Sequence, residues 1–141
     1  MLFKSTKNKS NNGAAASKAA SHKALSNKFR GSAAERRAAL FLKQKGLKIL
    51  DRNVSYRFGE LDIVAKDGNV LVFVEVKSRK SQAFGSAEVF VTKAKQMRLW
   101  RAGQAYLAKQ RQAEELEVRF DVVAETNGDM RWIRDAFRME L

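Results

Sequence analysis

The segment from Gly59 to Arg79 constrains the fold more than any other part of the chain. Two apolar runs, Gly59–Lys66 and Val70–Arg79, are separated by Asp67-Gly68-Asn69. An Asp-Gly pair between apolar runs is a strong signal for a β-hairpin. The second run, VLVFVEVKSR, is the most hydrophobic stretch of the sequence. This composition predicts a central strand that is covered on both faces.

A helix and a strand are predicted ahead of this hairpin. Ser32 and Glu35 have the spacing of a capping box, in which Ser32 is the N-cap of the helix. Apolar residues then recur at helical spacing, and Gly46 is a natural end to that helix. Leu47–Val54 has the composition of a strand.

A second helix and a second hairpin are predicted after it. Thr92 can cap a helix that runs to about Gln110. Val118–Glu125 and Met130–Asp135 read as strands on either side of Asn127-Gly128, a hairpin turn signal. The predicted apolar stripe of the helix consists of Met97, Trp100 and Leu107, broadened by Leu99, Gly103 and Tyr106.

The resulting order is α-β-β-β-α-β-β. It predicts the α/β class, with a small mixed central sheet flanked by two helices. The chain has 141 residues, which suits one domain. Residues 1–30 are expected to form a disordered basic arm because they carry seven basic residues, no acid and few large apolar residues. The folded domain is expected to span residues 31–141.

The charge balance indicates a polyanionic partner. The formal net charge is +13, of which +7 belongs to the arm and +6 to residues 31–141. Such a charge favours nucleic acid ahead of an anionic membrane surface. The sequence has no cysteine, which excludes thiolate zinc sites and cysteine nucleophiles. No apolar run is long enough to span a membrane, and a cytoplasmic location is the default expectation.

Charged side chains interrupt the apolar hairpin at Glu60, Asp62, Glu75 and Lys77. Two hairpin registers are open. A turn at Asp67-Gly68 sets Glu75 opposite Glu60, and a turn at Gly68-Asn69 sets Asp62 opposite Glu75. Both registers place all four side chains on one face, because side chains alternate along a strand.

Carboxylates that are this close repel one another unless one is protonated or a cation lies among them. Oxygen ligands without Cys or His favour a hard ion, Mg²⁺ or Mn²⁺. An ion held by Asp62 and Glu75 can lower the pKa of a bound water and offset charge on a phosphate. Lys77 could position that water or stabilise the developing negative charge. These groups are typical of metal-assisted phosphodiester hydrolysis.

The spacing from Asp62 to Glu75-Val76-Lys77 resembles the signature of the PD-(D/E)XK nucleases, although Leu61 stands in place of the proline. A longer series of motifs resembles the YraN-like family of bacterial proteins over roughly residues 31–138. These motifs are GSAAE (31–35), RNV (52–54), GELDIVA (59–65), VFVEVKSR (72–79), FG (84–85), TKAKQ (92–96), RFDVVA (119–124) and WIRDAF (132–137).

The resemblance implies a restriction-endonuclease-like αβββαβ core, related to Holliday junction resolvases, with a divalent metal and a nucleic-acid partner. Asp62 and Glu75 then match the metal ligands, Lys77 the catalytic lysine, and Glu35 a glutamate near a second metal. The capping box is an equal explanation of Glu35. Glu60 is expected to be a third metal ligand, an acceptor for one, or a strand-entry charge.

Three further residues are nucleic-acid-binding candidates. Lys95 and Gln96 stand near the start of the second helix, where helix N-termini bind phosphate, although a solvated face explains them as well. Arg79 ends the apolar strand and is the third candidate. Asp121 is expected to make a structural hydrogen bond.

Two functions therefore remain open at the level of sequence. One is a metal-dependent endonuclease acting on DNA, with a possible homodimer by analogy with resolvases. The other is a nucleic-acid-binding module that retains the nuclease fold without turnover.

Overall fold

The computed structural model describes residues 33–79, 91–110 and 116–138. The predicted arm (1–30) and the predicted cap Ser32 lie outside these residues. None of the helices within them is long and apolar enough to cross a membrane. The elements are α1 (33–44), β1 (Lys48–Tyr56), β2 (Gly59–Asp67), β3 (Val70–Arg79), α2 (Lys93–Ala108), β4 (Glu117–Thr126) and β5 (Asp129–Phe137).

The five strands form one mixed sheet in the order β1-β2-β3-β4-β5. All neighbouring strands are antiparallel except β3 and β4, which are parallel. Parallel neighbours need a crossover connection, and α2 lies in the chain between them. The α/β class, the small mixed sheet and the αβββαβ order of a restriction-endonuclease-like core are confirmed.

The central hairpin adopts the second of the two registers left open by the sequence. Lys66 pairs with Leu71 and Asp67 with Val70, so Gly68 and Asn69 form the turn. Gly68 has a φ of +59°, a conformation that glycine adopts without steric cost. This register fixes which side chains of β2 and β3 lie side by side.

Strand β3 is covered on both faces, as its composition predicts. On one face Val72 and Val74 pack in a cluster that includes Leu42 of α1. On the other face Phe73 packs with Leu99 and other residues of α2. The central strand therefore offers no solvated face along its apolar part, and a charge on it must find a partner inside the protein.

The apolar stripe predicted for α2 is correct except at Met97, which was included, and Ala102, which was not. Met97 is 42% exposed, and the buried residues of the helix are Leu99, Ala102, Gly103 and Tyr106. A Cβ atom on Gly103 would lie 2.9 Å from the Phe73 ring, so the absence of a side chain lets the helix approach the sheet. Strand bounds and the end of α2 differ from the predicted ones by at most two residues.

Candidate metal centre

Asp62 lies where the β2–β3 pairing stops. The ladder runs from Asp67 and Val70 to Ile63 and Val74. Continuing that register by one step sets Asp62 opposite Glu75. The Val76 N–H donates to Asp62 Oδ2 at 2.9 Å, so a side chain replaces a backbone acceptor at this point. The end of the ladder therefore leaves two carboxylates beside each other.

Glu35 of α1 and Glu60 of β2 lie near these two carboxylates. Glu35, Glu60, Asp62 and Glu75 together form the acidic cluster. One carboxylate oxygen from each of Glu35, Glu60 and Asp62 lies within 4.8 Å of the others. Glu35 is buried, Asp62 is partly buried and Glu60 is exposed. Glu75 is not part of that triplet but interacts with Asp62, which is thus common to both halves of the cluster.

Burial and the charge of a neighbouring carboxylate make Glu35 and Glu75 hard to ionise. Burial, followed by the charge of Asp62, raises the pKa of both Glu35 and Glu75 to about 7. Burial also raises the pKa of Asp62, against the opposing effects of the Val76 N–H and the Lys95 charge. Carboxyl groups that are buried beside another acid respond in this way.

Two oxygens of the cluster have no hydrogen-bond partner. They are Glu35 Oε2 and Glu75 Oε2, and each belongs to a residue that is more than nine-tenths buried. Buried polar atoms are nearly always satisfied in proteins, so carboxylate oxygens without a donor are typical of acids that bind a cation or share a proton. An all-oxygen set of four acids fits a hard divalent ion such as Mg²⁺ or Mn²⁺.

Two lysines approach the cluster through Glu75. Lys95 Nζ lies 3.5 Å from Glu75 Oε1. The charge of Lys77, which is partly buried on β3, lowers the pKa of Glu75. The structure therefore places the predicted catalytic and metal residues in one region, namely Glu35, Glu60, Asp62, Glu75 and Lys77. It adds Lys95, which the sequence suggested only as a phosphate contact.

The other two candidates have different surroundings. Gln96 uses its side-chain amide to donate to the Val91 carbonyl at 2.8 Å, which closes the start of α2. Arg79 is exposed at the last residue of β3, two positions beyond Lys77. Their roles in binding nucleic acid stay predictions.

The position of Lys95 is set by the start of α2. Thr92 caps the helix as predicted, and its hydroxyl accepts from the Lys95 N–H at 3.2 Å. Farther along, a Cβ atom on Gly59 would lie 3.1 Å from the Arg98 carbonyl oxygen. The helix therefore packs tightly on the first residue of β2, the strand that carries Glu60 and Asp62.

Sequence reasoning missed Arg52 as part of this site. Its charge lowers the pKa of Glu35. Arg52 pairs with Ile63, next to Asp62, in the register of β1 and β2. That hairpin turns at Arg57 and Phe58, which is not a recognisable turn signal, so the register could not be read from the sequence.

Asp121 has the structural role predicted for it. It is 1% exposed and accepts hydrogen bonds from Arg119 Nε at 2.8 Å, from Trp132 Nε1 at 2.9 Å and from the Asp135 N–H at 2.9 Å. It lies at a register shift between β4 and β5, between Phe120 and Val122. This network lies outside the acidic cluster and has no orphaned oxygen.

Comparisons with known proteins identify the family. Residues 34–124 match the model of the uncharacterised protein family UPF0102. A UPF0102 protein of Nitrosomonas eutropha is 44% identical over 113 residues, covering 79% of this chain and 96% of the relative. The UPF0102 protein YraN of Salmonella typhi is 41% identical over 114 residues, covering 80% and 87%. The relative in Halorhodospira halophila is 44% identical over 111 residues, covering 79% and 88%. The chain therefore belongs to the family UPF0102.

Proposed function

We propose that this protein is a metal-dependent, endonuclease-like protein that hydrolyses phosphodiester bonds in nucleic acid, with DNA as the expected substrate. The observation that carries the proposal is the acidic cluster with its two orphaned, buried carboxylate oxygens beside two lysines. Structural carboxylates are normally satisfied by donors, whereas these face one another.

The residues divide into those that hold the cation and those that act on the substrate. Asp62, Glu75, Glu35 and Glu60 would hold Mg²⁺ or Mn²⁺. When bound, such an ion supplies Lewis-acid polarisation of a phosphate oxygen. Lys77, two residues after Glu75 on β3, lowers the pKa of Glu75 and would stabilise negative charge that develops on the phosphate. No covalent nucleophile is needed, in agreement with the absence of cysteine.

The charge distribution supports a nucleic-acid partner. Helix α2 contains no acidic residue, and Arg98 and Arg101 are exposed on it. The net charge of the whole chain is +13. A positive surface next to a buried acidic site attracts a polyanion toward metal-bound chemistry. We propose repair or recombination of DNA in the cytoplasm as the setting, with a homodimer that would offer two sites to a branched substrate.

The test is cleavage of linear and branched DNA, and of RNA of the same sequences, with Mg²⁺ or Mn²⁺. Wild-type protein is expected to cut DNA only with the metal, and Asp62→Asn and Glu75→Gln to lose at least about 100-fold in rate, as removal of key electrostatic groups does. Asp129→Asn, which changes an exposed carboxylate on β5, is the matched control and should cut like wild type.

The same experiment separates the two functions that the sequence leaves open. Wild-type protein that binds DNA without metal and cuts nothing would be a binding module and would refute the proposed hydrolysis. Sedimentation of free and DNA-bound protein tests the homodimer.

A further inference from the structure

Lys95 of α2 forms an ion pair with Glu75 of the acidic cluster. Its ammonium nitrogen lies 3.5 Å from Glu75 Oε1, while the second oxygen of the same carboxylate is buried without a partner. The positive charge acts on both Glu75 and Asp62, because it lowers the pKa of each. Lys95 thus acts electrostatically on the two carboxylates that would share a metal ion.

The lysine is held there by a fixed backbone and a movable side chain. The Thr92 cap and the amide of Gln96 fix the first turn of α2. The close approach of Arg98 to Gly59 fixes the helix against β2. The Lys95 side chain, by contrast, is 38% exposed, so its flexible stem can leave Glu75 without moving the helix.

We propose that Lys95 is an internal competitor for the divalent cation: its ammonium group neutralises Glu75 in the metal-free protein, and a cation that binds to Glu75 has to displace it. The inference rests on the proposed function, since it concerns the same metal centre. It assigns to Lys95 a role in metal affinity, which differs from the phosphate contact that the sequence suggests.

The chain offers a matched control for this role. Lys93 is an exposed lysine in the same turn of α2, two residues before Lys95. Successive positions two apart do not share a face of a helix, so Lys93→Gln removes the same charge from the same helix without the Glu75 contact. Lys95→Arg keeps the charge at the site.

The experiment measures Mn²⁺ affinity of the full-length protein by isothermal titration calorimetry, with folding of each variant verified by its unfolding curve. Lys95→Gln should bind Mn²⁺ about fivefold more tightly than wild type, the effect of removing a partly exposed ion pair. Lys93→Gln and Lys95→Arg should stay within about twofold of wild type, since neither removes the competing charge.

Two outcomes would overturn the proposal, and they differ in what else they remove. If Lys95→Gln binds Mn²⁺ no more tightly than Lys93→Gln, Lys95 does not compete, but the metal centre stands. If wild-type protein does not bind Mn²⁺, or if Glu75→Gln binds Mn²⁺ as tightly as wild type, both the competition and the proposed function fail.

Discussion

Two aspartates on the same sheet, Asp121 and Asp62, show opposite ways of placing a carboxylate inside a protein. Asp121 is surrounded by donors from Arg119, Trp132 and the Asp135 backbone. Asp62 accepts from the Val76 N–H and lies among three other carboxyl groups. The donors around Asp121 stabilise the fold, whereas the crowded carboxyl groups around Asp62 destabilise the folded state unless a cation is bound. Donor supply, rather than burial, distinguishes structural from functional acids here.

The largest effect that tests this contrast is expected from Asp121→Asn. The asparagine amide would place an N–H group against the N–H groups that donate to the Asp121 carboxylate. Breaking a buried charged network of this kind lowers the unfolding free energy by about 3–5 kcal/mol. Asp62→Asn in metal-free protein at pH 8 should cost less than about 1 kcal/mol, because the amide oxygen can still accept from Val76. Urea denaturation measures both. Equal losses at the two positions would break the comparison.

The second test is the pH dependence of metal-free protein. The pKa of Glu35 and Glu75 lies near 7 in the folded state, against an ordinary value of 4.5. The folded state therefore binds more protons than the unfolded state between pH 4.5 and about pH 7. The contribution of these two groups to the unfolding free energy is fully present below pH 4.5 and is lost as the pH rises through about 7. We expect the unfolding free energy to fall, on the order of a few kcal/mol, between pH 5 and 8 in the presence of a chelator. A rise over this range would contradict the crowding of the cluster.

The third test restores stability with metal. At pH 8, Mn²⁺ at 100 times its Kd should stabilise wild-type protein by about 2.7 kcal/mol, because the ion binds the folded state alone. Thermal unfolding with and without the ion measures the gain. Asp129→Asn should retain the shift and Asp62→Asn should lose it. A shift that persists in Asp62→Asn would locate the ion elsewhere.

The smallest effect is expected from Glu35→Gln. This change removes one crowded acid from the cluster while keeping the shape of the side chain. Metal-free protein at pH 8 should gain about 1–2 kcal/mol in unfolding free energy, and its Mn²⁺ affinity should fall. Denaturation and calorimetry on the same variant measure the two opposite changes. A loss of stability would mean that Glu35 is held by donors after all.

The strands and their order could be predicted because the signals were local. Residues close together in the sequence determine three of these features: the limits of β3, the cap at Thr92 and the turn at Asn127-Gly128. The register of the central hairpin was narrowed to two alternatives, since two adjacent dipeptides could form the turn. The stripe predicted for α2 included Met97 and omitted Ala102, because the small side chain of alanine carries little hydrophobic signal.

The site could be predicted only in part, because local sequence signals reveal contacts between neighbouring strands but not contacts that depend on how the helices pack on the sheet. Asp62 and Glu75 follow from the pairing of two strands joined by a short turn. Glu35 had two equally good explanations, because its contact with Asp62 depends on how α1 packs on the sheet. The link from Lys95 to Glu75 depends on the packing of α2 as well, and no local pattern encodes it.

The bare backbone at Gly59 offers an uncharged way to adjust the chemistry of the site. A methyl group there would meet the Arg98 carbonyl oxygen at 3.1 Å, and the helix would have to yield by a few tenths of an ångström. Since Lys95 lies one turn before Arg98, a shift of α2 would change the position of the Lys95 backbone relative to Glu75 without changing the charge of any side chain. Residue 59 therefore links the packing of α2 on β2 to the surroundings of the Lys95–Glu75 ion pair.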